Sequence, residues 1–136
     1  MKIVIDTNVI ISAVFFGGQP RRFIEHFFND EFTAFASPEI VKEYVETYEA
    51  VHKKYESKGN LEILQKIIEK TEMMLPQKKI AVCRDKDDDK FISCAIEGNC
   101  LYIVSGDNDL LSLGKVENVE IITIADFLKM LEREKK

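Results

Sequence analysis

Short apolar runs alternate along this chain with longer stretches in which apolar residues recur every three or four positions. The runs lack the strict apolar–polar alternation of half-exposed strands and are typical of strands buried on both faces. They predict five strands, at residues 2–5, 32–36, 79–83, 101–104 and 120–123. The intervening stretches predict helices at residues 8–16, 21–29, 38–58, 61–75, 91–97, 108–113 and 124–134.

Local signals support this division of the chain. The segment from Gly17 to Pro20 separates the first two helices, and Ser37 before Pro38 is typical of a helix start. Strands that alternate with helices indicate an α/β fold, with a parallel sheet of about five strands covered on both faces. The 136 residues contain no linker or internal repeat, so we expect a single domain over residues 1–136.

Charge and composition exclude several classes of protein. The formal net charge of −5 argues against binding nucleic acid by bulk positive charge. No run of about 18 apolar residues occurs, so we expect no membrane span, and the start lacks the apolar stretch of a signal peptide. Cys83, Cys94 and Cys100 have neither CxxC spacing nor an even number, which favours free thiols in a reducing cytoplasm over zinc or disulfides.

Acidic side chains follow two predicted strands at the point where each strand ends. Asp6 comes directly after the first strand, and Asp107 follows the strand at 101–104. Ligand sites in open α/β sheets lie beyond the carboxyl ends of the strands. Asp6 and Asp107 are therefore expected to meet if their strands are neighbours. Glu43, two turns into a helix, and Asp89, where a helix leaves an acidic loop, are placed to join them.

Converging carboxylates repel one another unless protons or cations neutralise their charge. Oxygen ligands of this kind favour Mg²⁺ or Mn²⁺. One such ion lowers the pKa of a bound water, and two ions roughly 4 Å apart stabilise the attacking and leaving oxygens of a phosphodiester. Because this chemistry needs no Ser, Cys or His nucleophile, the acids predict a nuclease that uses one or two divalent ions.

Four segments resemble, in order and spacing, the motifs of the PIN domain family. They are residues 6–11 (DTNVII), 37–44 (SPEIVKEY), 88–92 (DDKFI) and 104–110 (VSGDNDL). Each motif alone is weak, but four in order over nearly the whole chain are specific. The resemblance implies a three-layer α/β/α fold and a Mg²⁺- or Mn²⁺-dependent ribonuclease. In size the chain is similar to the small VapC-like toxins of toxin–antitoxin pairs, which implies an RNA substrate, an antitoxin partner and a homodimer.

The resemblance also assigns roles to individual residues. The catalytic and metal-binding set that it implies is Asp6, Glu43, Asp89 and Asp107. The polar residues that would support this set by hydrogen bonds are Thr7, Asn8 and Ser105. Asp109 would join the metal shell, sometimes through water. Since four acids lie within residues 85–89, Asp88 is the alternative to Asp89, which is preferred for the spacing of the residues after it.

Simpler interpretations exist for each acid. An Asp at a strand end is often a helix N-cap, a Glu on a helix face is usually solvated, and Asp107 with Asp109 fits an Asx-type turn. Six basic residues are candidate phosphate contacts, although most surface charges have no such role: Arg21, Arg22, Lys78, Lys79, Lys86 and Lys90.

Three other functions compete with a nuclease. A calcium loop starting at Asp85 would need Gly and Glu where Lys90 and Ile96 stand, which excludes it. A receiver-type phosphotransfer domain would need a Lys at a later strand end, where Asp107 stands. A non-catalytic module that binds RNA or protein with the same fold is the remaining alternative.

Overall fold

The computed structural model describes residues 1–77, 81 and 86–134 of the chain. Its strands are β1 (Lys2–Ile5), β2 (Thr33–Ala36), β3 (Glu72–Met73), β4 (Tyr102–Val104), β5 (Lys115–Val116) and β6 (Val119–Ile122). Its helices are α1 (Thr7–Phe15), α2 (Gly18–Phe28), α3 (Pro38–Tyr55), α4 (Leu61–Lys70), α5 (Asp89–Glu97), α6 (Asn108–Leu111) and α7 (Ile124–Glu134). A 3-10 turn at Lys86–Asp88 leads into α5.

The strands form one sheet in the order β3-β2-β1-β4-β6-β5. All neighbours are parallel except β5 and β6, which pair antiparallel. The chain builds outwards from β1 to β2 and β3, then returns to the other side of β1 with β4 and β6. The order therefore reverses between β1 and β4, and such a switch point is where open α/β sheets bind ligands.

The prediction of an α/β fold with a mostly parallel sheet flanked by helices is confirmed. Ile3, Val4 and Ile5 are each at most 1% exposed, so β1 is covered on both faces. The Phe-rich α2 is part of the core, since Phe23 and Phe27 are also no more than 1% exposed. Their rings stack on Phe32 at centroid distances of 5.1 and 5.6 Å. This packing fixes the sheet from which the site residues extend.

Several boundaries differ from the sequence prediction for local reasons. Helix α3 ends at Tyr55 rather than residue 58, because Glu56 takes a left-handed conformation with φ of 51°. Helix α4 ends at Lys70, and residues 72–73 add the unpredicted β3 to the sheet. The antiparallel β5 was also not predicted, since two residues carry no periodicity. The strand predicted at 79–83 lies outside the described residues, apart from residue 81.

Two sequence expectations concern the chemistry of the core and the surface. Cys94 and Cys100 are free and buried, as expected, whereas Cys83 lies outside the described residues. Within the described ranges, no helix combines the length and apolar character needed to cross a bilayer.

Candidate active site at the β1–β4 switch point

The carboxyl ends of β1 and β4 lie side by side, which brings Asp6 and Ser105 together. Ile5 pairs with Val104 in parallel register, and the backbone N–H of Asp6 donates to the carbonyl of Val104 at 3.0 Å. β6, the other neighbour of β4 in the sheet, ends at the same edge. The N–H of Ser105 donates to the carbonyl of Ile122 at the end of β6, at 3.0 Å. The condition on which Asp6 and Asp107 were expected to meet, that their strands are neighbours, is therefore fulfilled.

Asp6 has a buried carboxylate that is held by the side chain of Ser105 as well as by the backbone of Thr7. It is 4% exposed and makes no side-chain capping hydrogen bond to α1, which rules out the simple N-cap interpretation. Instead the hydroxyl of Ser105 donates to Asp6 Oδ2 at 2.7 Å. A buried acid without a capping role at a strand end is a strong candidate for chemistry.

The pKa of the Asp6 carboxyl lies above its ordinary value of 3.8. Burial is the largest cause, and the negative charges of Asp107 and Glu43 raise the pKa further. The hydrogen bonds from Ser105 and from the backbone of Thr7 oppose this shift. Because the charges of Asp107 and Glu43 both raise the pKa of Asp6, the three carboxylates lie close enough to interact electrostatically.

Ser105 also positions Asp107. Its Oγ accepts a hydrogen bond from the backbone N–H of Asp107 at 2.9 Å, while its hydroxyl proton goes to Asp6. Asp107 Oδ1 in turn accepts from the N–H of Asp109 at 2.9 Å and caps α6. The Asx-type turn considered from the sequence is thus present, and it uses one of the two carboxylate oxygens of Asp107.

Glu43 reaches the site from α3 and is held by two partners. The Thr7 hydroxyl donates to Glu43 Oε2, and Lys90 Nζ lies 2.8 Å from Glu43 Oε1. The Glu43 side chain is 32% exposed, so it is not the solvated helix-face residue that its position on α3 also allowed. The Thr7 hydroxyl thus links α1 to this acid, and its supporting role in a metal site stays a prediction.

Tyr44 ties α3 to the end of β1. Its hydroxyl donates to the carbonyl of Ile5 at 2.5 Å, and its side chain is 2% exposed. Burial, followed by the negative charge of Asp6, raises the pKa of Tyr44 well above its ordinary value of 10.0. The hydroxyl therefore keeps the proton that it donates. Sequence reasoning missed this residue, because a Tyr on an apolar helix face carries no signal beyond core packing.

The third acidic motif lies where the 3-10 turn meets α5. Asp88 is at the N-cap position of α5 and Asp89 is its first residue, and both are partly buried. Asp85, which shares this motif, lies outside the described residues. Asp109 is also partly buried, in the first turn of α6. Metal-binding roles for Asp88, Asp89 and Asp109 remain predictions from the motif.

A groove of about 310 Å³, lined by both polar and apolar residues, opens next to the residues that follow Asp6 and precede Asp107. Its polar lining comes from α1, from the first turn of α2 and from the ends of β4 and β6: Asn8, Ser12, Gln19, Ser105 and Thr123. Its apolar lining includes Val9, Ile124 and Ala125. Asn8 is exposed and faces this groove. A second, smaller depression of about 230 Å³ lies on the side of Glu43 and Lys90.

Two basic residues that were candidate phosphate contacts have protein partners instead. The Arg21 guanidinium donates to the carbonyls of Ala13 and Val14 at 2.8 to 3.2 Å, which completes the C-terminal end of α1. Lys90 pairs with Glu43. Lys78 and Lys79 fall outside the described residues. The cationic partner of Glu43 was thus present in the sequence, but its pairing was not predicted.

The donor chemistry of the site fits a hard divalent cation. Asp6, Asp107 and Glu43 supply carboxylate oxygens, and a cation among them would relieve the repulsion that raises the pKa of Asp6. Nevertheless, among the residues that the structure describes, no three His, Cys, Asp or Glu side chains are already grouped as ligands of one ion. The engagement of Glu43 by Thr7 and Lys90 is one physical reason.

Comparisons with known proteins agree with this architecture. A family model described as PIN domain matches residues 2–109. MJ1680, an uncharacterised protein of Methanocaldococcus jannaschii, is 33% identical over 145 residues, which cover 98% of this chain and 93% of that protein. The fold is also similar to the crystal structure of VapBC2 from Rickettsia felis bound to a DNA fragment from their promoter. That match has a TM-score of 0.61 and 16% identity, over 90% of this chain and 98% of the other.

Proposed function

Because this chain belongs to the PIN domain family, we propose that it is a Mg²⁺- or Mn²⁺-dependent endoribonuclease that hydrolyses phosphodiester bonds of RNA. The observation that carries the proposal is the junction of β1 and β4. There Ser105 binds both the buried carboxylate of Asp6 and the backbone of Asp107. A metal site needs neighbouring groups that orient its ligands. At this switch point, one hydroxyl orients two acids at the ends of strands.

The proposed acidic set is Asp6, Glu43, Asp89 and Asp107, with Asp109 as a further member of the metal shell. When bound, a divalent ion lowers the pKa of a water and stabilises negative charge on the phosphate. Ser105 and Thr7 hold the acids in place, because their hydroxyls donate to Asp6 and Glu43. Burial of Asp6 keeps bulk water away from this end of the site.

The groove between Asn8 and Ser105 supports RNA as the substrate class. Its polar side chains are uncharged hydrogen-bonding groups, suited to base edges and 2′-hydroxyls of an unpaired strand, and they lie among the apolar Val9, Ile124 and Ala125. The net charge of −5 means that attraction to phosphates must come from the bound cation and from local basic groups rather than from the whole surface.

In the cell, the proposed role is that of the toxin in a toxin–antitoxin pair, acting in the cytoplasm as a homodimer with an antitoxin protein as its inhibitor. The likeness to VapBC2, solved with DNA from their promoter, supports this role through the shared fold. Induced expression of the wild-type chain is expected to arrest growth, and Asp107→Asn is expected to relieve the arrest. Equal arrest by both proteins would contradict a toxic nuclease activity.

One observation favours a second function, a non-catalytic module that binds RNA or protein. Within the described ranges the acids are not grouped as a ready ligand set, and Glu43 is already paired with Lys90. A module of this kind would bind single-stranded RNA equally well with and without divalent ions. Metal-dependent cleavage separates the two functions directly.

The test of the nuclease is cleavage of a labelled single-stranded RNA with Mg²⁺, Mn²⁺ or chelator. The wild type is expected to cut only with metal, and Asp6→Asn and Asp107→Asn are expected to abolish cutting. Asp30→Asn is the matched control, because Asp30 lies before β2 at the opposite end of the strands and has 80% side-chain exposure. A wild type that neither cuts RNA nor binds metal would overturn the proposal.

A further inference from the structure

Lys90 is a nearly buried cation inside the acidic site. It lies in the first turn of α5, its side chain is 9% exposed, and its Nζ is 2.8 Å from Glu43 Oε1. The same ammonium donates to the backbone carbonyl of Asp87 and lies 5.2 Å from the centre of the Phe91 ring. These contacts hold the charge at one place, whereas most lysines extend into solvent.

The neighbouring Lys42 shows what an ordinary lysine does at the same depression. It also lines the small cavity beside Glu43, but its side chain is 75% exposed and its Nζ is 3.6 Å from Glu46. An exposed ion pair of this kind contributes little to stability and does not keep a metal ion out of the site. The two lysines line the same depression, but Lys90 is held against Glu43 whereas Lys42 extends into solvent.

Both oxygens of Glu43 are already used. Lys90 occupies Oε1, and the hydroxyl of Thr7 donates to Oε2. A divalent ion at Oε1 would face the fixed positive charge of Lys90 at contact distance, and at Oε2 it would share the oxygen with the Thr7 hydroxyl. Repulsion of that kind is strong in a partly buried site, where water screens charges poorly.

We propose that the ammonium of Lys90 occupies the cation position beside Glu43, so that the protein holds one divalent ion, at the Asp6 and Asp107 end of the acidic set, and not a second at Glu43. Building on the proposed function, this inference fixes the number of ions and makes Glu43 a positioning residue. Glu43 then acts by holding Thr7, the residue that follows Asp6, and by receiving the charge of Lys90.

The test counts bound Mn²⁺ at saturation by equilibrium dialysis, with free Mn²⁺ measured by electron paramagnetic resonance. Wild type and Lys42→Met are each expected to bind one ion, and Lys90→Met is expected to bind two. Adding Glu43→Gln to Lys90→Met should return the count to one, because the second ion needs the Glu43 carboxylate. Glu43→Gln alone should keep the single ion.

The outcomes separate this inference from the proposed function. Two ions on the wild type, or one ion on a folded Lys90→Met, overturn the inference and leave the nuclease proposal standing. No ion on the wild type overturns both. If circular dichroism shows that Lys90→Met is unfolded, Glu43→Gln decides alone: retention of the ion supports the inference, and its loss at saturating Mn²⁺ places Glu43 among the ligands and overturns it.

Discussion

The hydroxyl of Ser105 joins the buried carboxylate of Asp6 across 99 residues of sequence, at a distance of 2.7 Å. The same oxygen accepts the N–H of Asp107, so one small side chain sets the spacing of two acids. Ser105 is itself fully buried, at 0% exposure. It lies directly after β4, and its backbone N–H donates to the carbonyl of Ile122 at the end of β6.

Ser105→Ala is therefore expected to weaken Mn²⁺ binding and RNA cleavage by about 10- to 100-fold, the usual effect of removing a residue that orients a metal ligand. Both quantities are measurable, by dialysis and by initial rates. Ser57→Ala is the control, because Ser57 is exposed in the loop after α3 and its hydroxyl oxygen only accepts from Gly59. Unchanged Mn²⁺ affinity in Ser105→Ala would mean that Ser105 does not orient a ligand.

The raised pKa of Asp6 predicts how the metal-free protein responds to pH. Between 3.8 and the higher folded pKa, the folded state binds more protons at Asp6 than the unfolded state does. The free energy of unfolding should therefore contain a contribution from Asp6 that falls as pH rises through this window. Above it, ionised Asp6 remains a net cost to the fold.

Urea unfolding from pH 4 to pH 8 in chelator measures this effect. Asp6→Asn should be more stable than wild type at neutral pH without metal, whereas Asp30→Asn should lose no more than the small contribution of its exposed pair with Lys70. Mn²⁺ at about 100 times its dissociation constant should add about 2.7 kcal/mol to wild type and to Asp30→Asn, but not to Asp6→Asn. A metal-free Asp6→Asn that is less stable than wild type at pH 7 would contradict the interpretation.

Tyr44→Phe should lower the free energy of unfolding by about 1 kcal/mol, since it removes one buried hydrogen bond and keeps the ring. The lost bond is the one to the carbonyl of Ile5, which fixes α3 against the end of β1. Urea unfolding gives the value, and Tyr55→Phe is the control because Tyr55 is 59% exposed. Equal stability of the two variants would show that the bond contributes nothing net.

Arg21→Ala should cost about 1.5–3 kcal/mol of stability, the range for hydrogen bonds that involve a charged group. The guanidinium supplies three such bonds to the last carbonyls of α1. Arg22→Ala, next to it and exposed, should stay within about 0.5 kcal/mol of wild type. If both variants unfold at the same denaturant concentration, the helix end does not depend on Arg21.

The sequence was sufficient for strands β1, β2, β4 and β6 and for the acids that follow β1 and β4, because an apolar run that stops at an acid is a local pattern. Asp6 and Asp107 met as expected once β1 and β4 proved to be neighbours. The capping role of Asp107 was also foreseen, as the simpler interpretation, and it coexists with the site.

The contacts between helices could not be predicted in the same way. The pairing of Lys90 with Glu43 and the bond from Tyr44 to Ile5 depend on how α3 and α5 are rotated against the sheet. Rotation is decided by side-chain packing over the whole core, which no single segment encodes. Strands of two residues, such as β3 and β5, also cannot be predicted from the hydrophobic pattern, because two positions cannot show a periodicity.

The central place of β1 in the sheet has a consequence for biosynthesis. β1 leads into Asp6 and is translated before β4, so Ser105 and Asp107 reach Asp6 only after β4 has been made. Until about residue 107 has emerged, a nascent chain holds an acid without the hydroxyl and the second carboxylate that complete the junction. On the proposed function, translation itself thus delays the appearance of a competent nuclease until β4 and Asp107 have been made, and chains terminated before that point would be harmless to RNA.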